Sequence, residues 1–170
     1  MSMSKKRISV TIQTKEVRYA IMKKTHATAR VLQAAVKVNY ELSSEMKSSE
    51  DEGILYDLNR AICLAIAGVK VELCEYLNAE STATDNLIDG DVEAGNAVVL
   101  SFDMPSNFDS ASVPALGKGI HEYVVCLSCY SWYRDRYPDI AEACKADGEA
   151  ALLKAKRALY KRLRPSRPEE

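Results

Sequence analysis

Cys126 and Cys129 form the sole Cys-x-x-Cys of the chain, within "HEYVVCLSCYSWYRDRYPD" at residues 121–139. Two thiols at this spacing could supply half of a tetrahedral zinc site, or the reactive pair of a dithiol oxidoreductase. Zinc needs two further ligands. The remaining Cys63, Cys74 and Cys144 and the two histidines form no second close pair, and His121 lies five residues before Cys126. A redox pair of this type needs its first thiol at a helix N-terminus, where the dipole lowers its pKa. Here Tyr123-Val124-Val125 precede it, which places the pair in mid-helix. The expected role is core packing, with the five cysteines as small buried hydrophobes in a reducing compartment. No metal and no cofactor is expected.

No other residue set supports catalysis. The chain has no Gly-rich phosphate loop, no G-x-S-x-G, no H-E-x-x-H and no deaminase-type H-x-E with a downstream Pro-Cys-x-x-Cys. His26 sits in a Lys/Thr-rich stretch, and Asp89/Asp91 lack the ligand order of a calcium loop.

Two features point to partners instead. Tyr130, Trp132, Tyr133 and Tyr137 crowd four aromatics into eight residues beside Arg134 and Arg136. So many rings must cover more than one helix face. They either pack against the next helix or anchor an interface, where Trp, Tyr and Arg dominate. The second feature is basic. Lys154, Lys156, Arg157, Lys161, Arg162, Arg164 and Arg167 fall within fourteen residues. They read either as a solvated helix end favoured by the dipole or as a docking tail for an acidic surface or a DNA backbone. The candidate interface is therefore Trp132, Tyr133, Arg134, Arg136, Tyr137, Lys161, Arg162, Arg164 and Arg167.

Helices are the expected scaffold, because seven Gly and five Pro in 170 residues leave few turns. Alternation of Ile8, Val10 and Ile12 predicts a short strand or arm over residues 1–13. A first helix follows from Thr14, as its cap, into the low forties. Polar residues 43–53 form a loop, with Ser48 or Ser49 capping a second helix. Leu55, Leu58, Ile62, Ala65, Val69, Leu73 and Tyr76 give that helix one apolar stripe as far as Asn78. In the insert at 79–111, Leu87-Ile88 and Ala97–Phe102 are expected to pair as a β-hairpin turning within Gly90–Asn96.

A third helix opens near Ser112 with Pro114 in its first turn and is ended by Pro138. Gly117 and Gly119 each weaken it by about 1 kcal/mol relative to Ala unless they serve close packing. Asp139 caps a fourth helix, whose Ile140, Cys144, Leu152, Ala155, Leu159 and Leu163 mark one face. Residues 166–170 are expected to be disordered. The fold class is thus mainly α: about four helices in a bundle, with an N-terminal strand or arm and a β-hairpin insert, forming one domain over 1–165.

Lys+Arg is 23 and Asp+Glu 24. That balance argues against a dedicated nucleic-acid coat. MSMSKKRISV lacks the apolar core of a signal peptide, and the longest apolar run, Ala61–Val71, is too short to span a bilayer. A soluble chain, cytoplasmic and without membrane contact, is expected.

The order of parts resembles a known family. "LNRAICLAIAGVKVELCEYL" ends in Tyr76-Leu77. After a variable middle, a helix carries Trp132-Tyr133 before Pro138-Asp139-Ile140-Ala141, and the last helix ends in Leu159-Tyr160-Lys161-Arg162. Over about residues 50–165 this pattern is similar to the head–tail connector, or adaptor, proteins of tailed bacteriophages, particularly of Mu-like prophages. The resemblance implies a structural protein without active site or cofactor. It would self-associate as a ring on the portal and bridge portal and capsid to tail-completion proteins, ending in the virion. Non-specific contact with the exiting DNA is possible on this reading. The competing expectation is a small helical nucleic-acid-binding or regulatory protein using the basic C-terminal helix.

Overall fold

The structure is a computed structural model and describes residues 5–35, 51–78 and 87–164. In chain order the elements are β1 (Lys6–Gln13), α1 (Thr14–Ala35), α2 (Glu52–Glu72), the one-turn α3 (Gly90–Glu93), β2 (Ala97–Met104), a 3-10 turn (Ser110–Ser112), α4 (Val113–Tyr133) and α5 (Pro138–Leu159). The protein is mainly helical, with one two-stranded antiparallel sheet.

The central element is α4. It is joined to α5 by a tight turn, and α5, α2, α1 and β1 all pack against it. Its Leu116, Ile120, Val124, Cys126 and Cys129 are wholly enclosed. On α2 the predicted stripe faces inward, with Leu58, Ile62, Ala65, Val69 and Leu73 buried. On α1 the inward residues are Val17, Ile21 and Ala29, while Val31, expected on the same face, points to solvent.

The strands pair differently from expectation. β2 does not fold back on Leu87-Ile88. It pairs with β1, from Lys6 opposite Met104 to Gln13 opposite Ala97. Two full strands with matching alternation explain the choice. Ile8 and Val10 lie opposite Phe102 and Leu100, and all four are buried on one face. Leu87-Ile88 offers only two residues before Asp89, whose carboxylate accepts the Asp91 N–H at 2.9 Å and caps α3 instead. Gly95 then turns the chain into β2 at φ 75°, a backbone conformation that side chains other than glycine's resist. The far edge of β2 is used as well. Asn78 N–H donates to Ser101 O at 3.0 Å and Asp103 N–H to Tyr76 O at 2.8 Å, which lays the end of the α2 segment beside it.

Polar groups fix the corners. Arg18 on α1 donates to Asn59 Oδ1 on α2 at 3.0 Å and to the carbonyls of Val92 and Glu93 on α3, so one guanidinium ties three elements. The Thr14 hydroxyl donates to Asn96 O, which fastens the start of α1 to the start of β2 rather than capping its own helix.

Element ends also differ from expectation. α2 stops at Glu72, α4 at Tyr133 and α5 at Leu159. Pro138 therefore starts α5 rather than ending α4, Tyr137 takes the cap position, and Asp139 lies in the first turn. Asp51 stands at the cap of α2. The expected end of the first helix, the Ser48 or Ser49 cap, the 79–86 segment of the insert and the last six residues fall outside the described residues. Among the described residues, no helix is long and apolar enough to cross a membrane.

Candidate partner-binding surface

The two expected halves of the interface lie at opposite ends of the α4–α5 hairpin. The aromatic cluster flanks the turn between the helices, and Lys161–Arg164 follow the far end of α5. At about 1.5 Å per residue, the 22-residue α5 separates them by roughly 30 Å. They do not form one patch.

Within the aromatic half, Tyr133 belongs to the core. It is 1 % exposed and is among the largest fully buried side chains. Its ring meets Tyr137 edge-on, with centroids 6.2 Å apart, and its hydroxyl faces Thr28 on α1 without reaching good hydrogen-bonding geometry. Burial pushes the phenol well above its usual range. Trp132 and Tyr137 are half-buried, while Arg134 and Arg136 are exposed, with Arg134 Nε 3.2 Å from Asp135. The reason is the third neighbour. α1 also packs on α4, so the residue facing the α1–α5 seam is swallowed and its neighbours are left at the rim.

Within the basic half, much of the charge is spent internally. Residues 161–163 run beside the 107–109 segment: Asp109 N–H donates to Lys161 O at 3.3 Å and Leu163 N–H to Asn107 O at 2.8 Å. Arg162 turns back to the Leu159 and Lys161 carbonyls at 2.6 and 3.2 Å, capping the end of α5. Lys161 Nζ lies 3.3 Å from Asp109, and Lys156 Nζ lies 2.6 Å from Glu72. Arg164 is exposed, and Arg167 lies outside the described residues. Lys161 and Arg162 thus make contacts within the fold, while Lys161 and Arg164 remain exposed.

Asp109 serves two roles. Its carboxylate accepts the Ala111 N–H at 3.0 Å and pairs with Lys161, and these two contacts, the N–H bond foremost, hold its pKa below the usual aspartate range. A depressed carboxylate adds stability that is present above its unfolded pKa of about 4 and is lost as pH falls through the folded value. Asp109→Asn should thus lower the melting temperature at pH 7. Melting curves taken down to pH 3 should show the gap closing below pH 4, and a gap independent of pH would refute the assignment.

A surface the sequence reading passed over lies on the outer side of α2. Tyr56, Arg60, Leu64, Ala67 and Val71 recur at three or four residues and are all exposed. Tyr56 keeps 52 % of its surface in solvent, Leu64 53 % and Val71 72 %. Besides the face covered by α4, the helix thus carries four exposed apolar side chains, Tyr56, Leu64, Ala67 and Val71, interrupted by Arg60. The signal was in the sequence: Ala61–Val71 is too continuously apolar for a helix with a single buried stripe.

The family-like positions are also packing positions. The Tyr76 and Tyr160 rings meet edge-to-face at 5.8 Å and join the ends of α2 and α5, and Leu77 lies opposite Phe102. Among the described residues, no group of three or more His, Cys, Asp or Glu is arranged to hold a metal ion. The chain matches no protein-family model, no curated protein and no solved structure.

Proposed function

We propose that this chain is a structural assembly protein, a subunit of a phage head–tail connector that joins portal and capsid to tail proteins as part of a ring. On this reading it works in the cytoplasm during assembly and then within the virion, with its helices grouped as a bundle around α4. The observation that carries the proposal is the set of exposed apolar side chains on the outer side of α2, Tyr56, Leu64, Ala67 and Val71. Exposed apolar side chains aligned on one rigid helix mark a surface that another protein covers. The sequence resemblance over residues 50–165 supplies the class of assembly. A ring needs a heterologous contact, one face of a subunit against a different face of the next, and a stripe on the outside of the molecule suits that geometry. The half-buried Trp132 and Tyr137 with Arg134 and Arg136, about a helix length from the basic end, offer a second contact.

The DNA-binding alternative loses ground, because Lys156, Lys161 and Arg162 already have partners within the chain.

The direct test is to tag the protein in its native host, induce any prophage and identify what co-purifies. Portal, capsid or tail proteins at near-stoichiometric levels are expected; recovery of only nucleic acid or metabolic enzymes would sink the reading. Leu64→Glu/Val71→Glu should leave the circular dichroism spectrum and melting temperature almost unchanged, since both side chains are exposed. It should weaken the association by about 100-fold or more, the effect of forcing charge into a dry contact. Unchanged recovery of the same partners by this double variant would remove α2 from the interface.

A further inference from the structure

The two edges of the β1–β2 sheet are used differently. On β2, Ser101 C=O accepts the Asn78 N–H at 3.0 Å and Asp103 N–H donates to Tyr76 O at 2.8 Å. Ser101 and Asp103 therefore aim their peptide groups away from β1. In an antiparallel pair, alternate residues exchange both bonds with their partners, so Leu100 and Phe102 are the ones bonded to Val10 and Ile8. It follows that Ser9 and Thr11 point their N–H and C=O groups outward, at the opposite edge. Both residues are exposed, and no described residue hydrogen-bonds to those groups. Edge strands are usually blunted by a proline, a bulge or a charge. From Ile8 to Gln13 this one has none of the three, and its register runs without a break.

An open groove of about 820 Å³ adjoins this edge. Thr11 contributes to one side. Ala115, Gly117 and Lys118 of α4 and Ala151 and Lys154 of α5 line the other. Lys118 and Lys154 are exposed, and neither has an ion-pair or hydrogen-bond partner among the described residues.

We propose that the outer edge of β1 and its groove bind an extended peptide segment of another protein. The segment adds to the sheet as a third strand and brings an acidic side chain to Lys118 and Lys154. The backbone groups select the extended form. Ser9 and Thr11 present their donors and acceptors two residues apart, a repeat that an extended main chain matches. Alternate side chains of the incoming strand then face the groove, where Ala115, Gly117 and Ala151 leave room for apolar residues. The charges set the composition. Two lysines without partners favour a carboxylate, while Glu16 and Glu122 line the same groove and oppose a second one. A single acidic residue among alternating apolar ones is therefore the matching sequence. No described residue of α2 lines the groove, so the inference is independent of the α2 contact.

The test selects a displayed library of random decapeptides on the full-length chain and follows amide hydrogen exchange by NMR. In the free chain the Ser9 and Thr11 amides should exchange fast and those of Ile8 and Val10 slowly. Selected peptides should alternate in the expected way, carry an acidic residue and protect the Ser9 and Thr11 amides. Thr11→Pro removes only an outward N–H, a change that edge strands accept. It should weaken binding of the selected peptides by about 10-fold or more, as should Lys118→Glu/Lys154→Glu, with melting temperatures little changed. Enrichment of no peptide, or of peptides that leave Ser9 and Thr11 unprotected, would overturn the proposal. So would slow exchange of both amides in the free chain. Protection that grows with protein concentration alone would assign the edge to a second copy instead. Exchange in the unmutated chain decides the matter even if Thr11→Pro fails to fold.

Discussion

Replacing Tyr133 with alanine should cost about 3–5 kcal/mol of folding stability, the range for deleting a large aromatic from a closed core. A domain of this kind is held by only about 5–15 kcal/mol, so the variant should sit at the edge of unfolding at ambient temperature. The ring is enclosed between α1, α4 and α5 and meets Tyr137 edge-on, so its loss opens a cavity that three helices must collapse to fill. Tyr133→Phe separates the ring from the hydroxyl. That hydroxyl is buried and poorly satisfied, so its removal should be neutral within about 1 kcal/mol. Trp132→Ala, at the rim, should cost much less in urea denaturation and should instead weaken partner binding. If Tyr133→Ala and Trp132→Ala cost the same in denaturant, the placement of Tyr133 in the core is wrong.

The second large effect is expected at Gly119. A Cβ there would stand 3.0 Å from Ala155 Cβ and 3.1 Å from both Ala151 O and Ala155 N. Two of those three atoms are backbone, so only movement of α5 as a whole can relieve the clash. Alanine gains about 1 kcal/mol of helix propensity at this site. Overpacking costs about 1–3 kcal/mol, and valine, with two more methyl groups, should reach about 3 kcal/mol or beyond. Gly117, two residues earlier and facing β1 rather than α5, gives the opposite sign. The nearest atom to its missing Cβ is Val10 Cγ1 at 3.6 Å, an ordinary contact. Gly117→Ala should therefore stabilise the fold by about 0.5–1 kcal/mol. Thermal melts of the two alanine variants check the contrast; equal shifts would mean that α4 and α5 do not approach as closely as described.

Local periodicity was legible, and long-range partnership was not. Leu58, Ile62, Val69 and Leu73 on α2, and Leu116, Ile120 and Val124 on α4, announce their buried faces through spacing alone. The alternation in β1 likewise announces a strand. It does not say which strand it pairs with, because every alternating segment presents the same pattern, and the partner lies about ninety residues away.

The same limit governs the interface residues. In "CYSWYRDRY" four rings compete for the seam, and Tyr133 wins because of where α1 lies across it, which its neighbours in sequence do not encode. Lys161 and Arg162 look free until the 107–109 segment is placed beside them.

The pairing of Lys6 with Met104, and of Leu163 with Asn107 a few residues further on, brings the two described ends of the chain to the same place. A pull between those ends would enter and leave the molecule there. It would pass across the first rung of the β1–β2 ladder without traversing any of the long helices. The rungs would open in succession from Lys6 toward Gln13, as a zipper does, instead of resisting together in shear. Tension along the polypeptide thus meets a small, quickly reformed fastening, while the helical core around α4 stays out of the load path.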